Sequence, residues 1–227
     1  MKKISIAIAA TLALGTTNVL ADRDRDRDDE QVICPITYEQ LTVALELAQQ
    51  QDNGLFKLDM WASVVNSEGE VCAVTKTGDN LTDQWLASRV ISAQKAYTSA
   101  SLSNNKDSSG SASGQSVGFT SAGLYSATQP GGALFGLQHS NPVKTSDAYQ
   151  GGAAHFGTDN DPMVGNRIGG INVFGGGLPL FDADGKVIGG LGVSGNTSCA
   201  DHNIAWRVRG SLAASSIAQG ADFEFGI

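Results

Sequence analysis

The stretch "FGGGLPLFDADGKVIGGLGVSG", Phe174 to Gly195, decides how the chain folds. Two apolar runs, Leu178 to Phe181 and Lys186 to Val193, flank Asp182-Ala183-Asp184-Gly185, which has the composition of a hairpin turn. The stretch holds eight of the chain's 28 glycines. Glycine weakens a strand unless something must come close to its backbone. Two occupants suit that closeness: a ligand that meets the peptide groups of Gly175, Gly176 and Gly177, or a helix or second subunit packed tightly on the sheet. Beyond the last run, Ser194, Gly195, Asn196 and Thr197 precede a helix, whose free N–H groups could receive a carboxylate or phosphate.

Working outward, a second hairpin precedes the first. Leu58, Met60, Ala62 and Val64 alternate with Asp59, Trp61 and Ser63, Asn66-Ser67-Glu68-Gly69 turns, and Val71 to Thr75 returns. Thr37 and Gln40 form the T-x-x-Q capping box of a first helix with Leu41, Ala44, Leu45 and Ala48 on one face, and Gly54 ends it. A second helical pattern starts at Leu81 and carries Leu86, Val90, Ala93, Tyr97 and Ala100 on one face. Asn104 to Ser116 is a Ser/Gly-rich loop, a short helical piece lies around Ser121 to Ser126, and Gln129 to Gly132 turns. Val143 to Gly170 reads as a long ordered loop or lid, Ile171 to Phe174 as a further strand, and Ser198 to Ser216 as the closing helix. Helices and hairpins in this order predict an α+β domain, an antiparallel sheet covered by helices.

The first 21 residues, two lysines followed by an apolar run and Val19 and Ala21 at peptidase spacing, read as an export signal, and no segment reaches the length of a membrane span. Removing it takes two lysines and shifts the formal charge from −8 to −10, which excludes bulk attraction to nucleic acid. DRDRDRDDE, within a charged tail at 22–33, cannot pack, and residues 34–227 are expected to form one domain. Three cysteines in an oxidising compartment allow one internal disulfide. Cys34 and Cys199 flank the folded region and are the expected pair, with Cys72 a buried thiol.

Three motifs carry a family likeness: "AQKAYTSA" (Ala93 to Ala100), "QPGGALFGL" (Gln129 to Leu137) and "VFGGGLPLFDADGKVIGGLGVSG" (Val173 to Gly195). Together they resemble the GlcG/HbpS family of haem-binding proteins, which includes the C-terminal domain of PduO-type corrinoid adenosyltransferases. The resemblance implies a profilin-like fold with a five-stranded antiparallel sheet, assembly into a homo-oligomer, and haem or a related tetrapyrrole as cofactor. It further implies sequestration or sensing, with a sensor kinase or other envelope protein as partner. This chain departs from the compact family pattern in the insertion at Val143 to Gly170, in the Ser/Gly loop at Asn104 to Ser116 and at "TSCADH", Thr197 to His202.

Haem needs an apolar slot, an axial ligand and donors for its propionates. Of the histidines, His139 is the leading candidate for the iron because it follows the family-like "PGGALFGL"; His155, beside Phe156 in the long loop, comes next, and His202 opens the last helix. Each also has a structural reading as a turn, loop or helix-start residue. Lys95 and Tyr97 lie in the first motif; Tyr97 falls on the apolar face, and the resemblance gives Lys95 a role in holding an anionic group. No catalytic set stands out, since Gly192-Val193-Ser194-Gly195 falls a residue short of the G-x-S-x-G elbow. Asp159 and Asp161 are weak calcium candidates without an EF-hand pattern. A small organic acid held at the glycine-rich strand ends and a ligand-free structural oligomer are the alternatives to haem.

Overall fold

The computed structural model describes residues 33–51, 53–54, 56–105 and 118–213. The export signal, nearly all of the charged tail, most of the Ser/Gly loop and the last residues assigned to the closing helix lie outside the described residues.

Helix α1 (Tyr38–Gln49) starts where the capping box places it, with Thr37 Oγ1 accepting from the Gln40 N–H at 3.3 Å and Gln40 Oε1 from the Thr37 N–H at 2.9 Å. Strands β1 (Trp61–Asn66) and β2 (Val71–Lys76) form the first hairpin. Helix α2 (Ser88–Leu102) follows, then three one-turn helices, α3 (Tyr125–Thr128), α4 (Leu137–Ser140) and α5 (Thr145–Ala148). Strands β3 (Gly177–Phe181) and β4 (Val187–Ser194) make the second hairpin, and α6 (Ser198–Ala213) closes the described chain.

The sheet is antiparallel in the order β2-β1-β4-β3, so the two hairpins join through β1 and β4. Helices α1 and α6 cover one face, where Leu41 and Leu45 meet Ala62, Val64, Leu191 and Val193. Helix α2 and the long loop cover the other, where Val90, Ala93 and Ala96 meet Trp61 and Val65. Both faces being covered, every residue of β1 is buried, and the alternation there sorts residues between two cores.

Among the described residues the sheet has four strands instead of five. Ile171 to Phe174 does not pair as a strand. Gly169 and Gly170 take left-handed φ of 62° and 87° just before it, and the Asn172 N–H donates to Thr98 Oγ1 of α2 at 2.9 Å. Ile171 and Val173 pack instead with Leu124. Helix α2 also starts later than the periodicity predicts: residues 81–87 form turns and bends, tied to the approach to β1 by the Asp59 N–H donating to Asp83 O at 3.1 Å, and Leu86 is exposed.

The disulfide joins Cys34 to Cys72, and Cys199 is a free, exposed thiol in the first turn of α6, which corrects the Cys34 to Cys199 expectation. The reason is packing. Helix α1 lies along β2, with Thr42 Oγ1 and Thr75 Oγ1 at 2.8 Å, and this brings the start of the domain beside the strand that carries Cys72. The bond spans a separation of 38 residues. Its reduction is expected to cost about 2–4 kcal/mol by freeing the unfolded chain. Thermal unfolding of the wild type against Cys34→Ser/Cys72→Ser checks this, and an unchanged midpoint would refute it.

Candidate functional site

The glycine-rich stretch is approached by the protein itself. A Cβ at Gly192 would stand 1.8 Å from Ser92 O, and one at Gly190 would stand 2.1 Å from Ala96 O. Helix α2 thus lays its backbone against β4, and Ser92 Oγ bonds Ser63 Oγ of β1 at 2.7 Å beneath it. At the strand ends the N–H groups are engaged: Gly175 donates to Ser198 Oγ at 2.7 Å, Gly177 to Ser121 Oγ at 2.8 Å. Ser194 and Gly195 are buried, and Gly195 O accepts from the Trp85 N–H at 3.2 Å. Of the two readings of the glycines, the structure realises tight helix-on-sheet packing, and these positions present no open cradle for an anion.

In the middle of this contact sits a buried charge pair. Lys95 is fully buried; its Nζ donates to Asp201 Oδ2 at 2.7 Å and to Val193 O at 3.0 Å, and lies 4.9 Å from the centre of the Phe174 ring. Asp201 Oδ1 accepts from the Asn196 N–H at 2.9 Å, so the carboxylate also fixes the turn into α6. Burial lowers the Lys95 amine below the usual lysine range, opposed by Asp201, and raises the Asp201 carboxyl, opposed by Lys95. The anion that Lys95 meets in this structure belongs to the chain. Gly176, at φ 118° and with a virtual Cβ 2.2 Å from Val193 O, lets the loop pass over this pair.

The other predicted residues are divided between two places. Tyr97 is half-buried, its ring against Gly69 and its hydroxyl accepting from Asn141 Nδ2 at 3.4 Å, in the cluster that holds Leu137. His139 follows on α4 and is exposed; the same segment presents Tyr125, Leu134 and Phe135 to solvent. His155 is exposed on a single 3-10 turn in the long loop. The structure therefore gathers Lys95, Gly175, Gly176, Gly177, Ser194 and Gly195 into the packed heart of the domain and leaves His139 and His155 outside it. Both ring nitrogens of His202 face protein N–H groups, Trp206 Nε1 at 3.0 Å from Nε2 and Gly176 N at 3.3 Å from Nδ1. A neutral imidazole accepts at one nitrogen only, and Trp206 is the shorter contact.

A second buried pair, absent from the sequence reading, orders the long loop. Arg89 of α2 donates through Nε to Asp161 Oδ2 at 2.9 Å and through Nη1 to Ala148 O at 2.8 Å, while the Phe156 ring centre lies 3.9 Å from its guanidinium carbon. Asp161 also accepts from the Gly157 and Met163 N–H groups, at 2.8 and 2.9 Å. Its carboxylate is thus engaged within the chain, whereas Asp159 is exposed and accepts from Asn160 Nδ2 at 2.7 Å. No group of three or more metal-ligating His, Cys, Asp or Glu exists among the described residues.

Residues 36–208 match the family model described as "Haem degrading protein HbpS-like". No curated protein matches. Among solved structures, the chain is similar to the Klebsiella pneumoniae protein ORFY, at 23% identity over 79% of this chain and 91% of that one, with a TM-score of 0.49. It is also similar to PduOC, solved as a heme complex, at 23% identity over 81% of this chain and 94% of that one, with a TM-score of 0.49. The family match takes in both hairpins, α2 and the start of α6, and the chain belongs to the HbpS-like family.

Proposed function

We propose that the chain is an exported binding protein for haem or a closely related tetrapyrrole, acting in sequestration or sensing, with His139 as the iron ligand. The observation that carries the reading is the family match over residues 36–208, whose description names haem. Geometry supports His139 over His202: His139 is exposed beside exposed Leu134 and Phe135, whereas His202 is engaged by Trp206. Haem when bound would supply the iron chemistry. The chain supplies an imidazole and an apolar surface that removes one macrocycle face from water. Export accords with the Cys34 to Cys72 disulfide, which persists in an oxidising compartment, and no described helix is long and apolar enough to cross a membrane. Assembly of several copies, and hand-over of a signal to a sensor kinase or other envelope protein, belong to the same proposal.

A haemin titration followed by absorption tests it. Saturable binding with a shifted Soret band, abolished by His139→Ala and retained by His155→Ala, is expected. A non-saturable response, or a spectrum indifferent to His139→Ala, would overturn the reading.

A further inference from the structure

His139 stands on α4, a helix of four residues, too short to hold its shape by its own hydrogen bonds. It starts after Gly136, at φ 91°, with no side chain capping it, and the His139 N–H donates only back to Gly136 O, at 3.0 Å. An imidazole that is to meet an iron atom in one orientation needs firmer support than this.

The support lies at the other end of the turn. Asn141 precedes Pro142, a position held away from helical backbone, and its φ of −134° and ψ of 82° stop α4 at Ser140. Its carboxamide then reaches two separate elements. Oδ1 accepts from the Gly170 N–H at 3.0 Å, and Nδ2 donates to the Tyr97 hydroxyl of α2 at 3.4 Å. The orientation of the amide follows from its partners, since a backbone N–H must face the oxygen. The Tyr97 ring is itself backed by Gly69, where a Cβ would stand 2.8 Å from it. Just beyond, Val143 bridges to Gly169 and the Lys144 N–H donates to Ile168 O at 2.7 Å, so the chain leaving α4 is fastened as well.

We infer that Asn141 is a positioning residue for His139, an inference that rests on the reading of His139 as the iron ligand. Through Gly170 and Tyr97 its side chain ties the C-terminal end of α4 to the body of the domain and sets the direction from which the imidazole approaches. Asn141 itself needs no contact with the tetrapyrrole.

Haemin titration of the full chain, followed by absorption, tests this in wild type, Asn141→Ala, Asn141→Asp, Tyr97→Phe, His139→Ala and His139→Ala/Asn141→Ala. Asn141→Ala is expected to weaken binding by about tenfold, the lower end of what loss of a supporting contact costs a metal site, and to move the Soret band towards that of His139→Ala. Asn141→Asp should keep the wild-type spectrum, because a carboxylate still accepts from Gly170 and the Tyr97 hydroxyl can turn to donate. Tyr97→Phe, which keeps the ring on Gly69, should lose about twofold or more. In the His139→Ala background Asn141→Ala should add nothing, which a general loss of structure would not give. Wild-type binding in both Asn141→Ala and Tyr97→Phe, failure of Asn141→Asp to restore the spectrum, or additive losses in the double variant would overturn this inference while His139→Ala still abolished the shifted band. A spectrum indifferent to His139→Ala would overturn the haem-ligand reading, and this inference with it.

Discussion

Lys95→Met is expected to cost about 3–5 kcal/mol of unfolding free energy, the largest loss of any single substitution considered, because it leaves the Asp201 carboxylate buried without its cation. Lys95 and Asp201 are both almost wholly buried, so water cannot take the place of the missing ammonium. The double variant Lys95→Met/Asp201→Leu should recover most of the loss. Burial disfavours the charged form of each partner, as the lowered amine and raised carboxyl show, and an apolar pair of similar volume escapes that desolvation. Urea denaturation of wild type, both single variants and the double variant measures the coupling. Additive losses would mean that the two groups do not act as a pair.

The second large effect is expected at Gly192. Its virtual Cβ lies 1.8 Å from the Ser92 carbonyl, a backbone atom that moves only if α2 lifts from the sheet. Gly192→Ala should therefore cost about 3 kcal/mol or more, at or above the upper end of ordinary overpacking. Gly152, which has negative φ and nothing within 4 Å of its virtual Cβ, supplies the contrast: Gly152→Ala should stay within about 0.5 kcal/mol of wild type. Equal midpoints for the two variants would show that α2 does not depend on this close approach.

Much of the frame is legible in the chain because its signals are local. The capping box at Thr37 and Gln40, both hairpin turns and the apolar face of α1 occupy a few consecutive residues, and each appears where its pattern puts it. The misplacements come from partners remote in sequence. Lys95 reads as off the apolar face, yet α2 is covered on several sides, and its partner Asp201 lies 106 residues away. Tyr97, placed by its period in the core, is the more exposed of the two. Cys72 reads as a buried thiol because nothing near it tells that α1 will lie along β2. The fifth strand fails for a similar reason: a side chain of α2 takes the Asn172 N–H that a neighbouring strand would need. For the site, the sequence marks the histidines and glycines, whereas the two buried charge pairs join Lys95 to Asp201 and Arg89 to Asp161 across long stretches of chain.

The borders of the sheet limit how copies of this chain can meet. One border is β2, and Val71 there already exchanges backbone hydrogen bonds with the long loop, its N–H donating to Asn166 O and its O accepting from Gly165 N, each at 2.9 Å. The other border is β3, where Pro179 has no N–H to offer an incoming strand. Neither border is a clean template for another chain's backbone, so strand addition, the route by which many sheet proteins oligomerise or aggregate, is obstructed at both ends. Assembly through the described residues would then draw on side-chain surfaces of helices and loops, where single substitutions can tune affinity without disturbing the sheet.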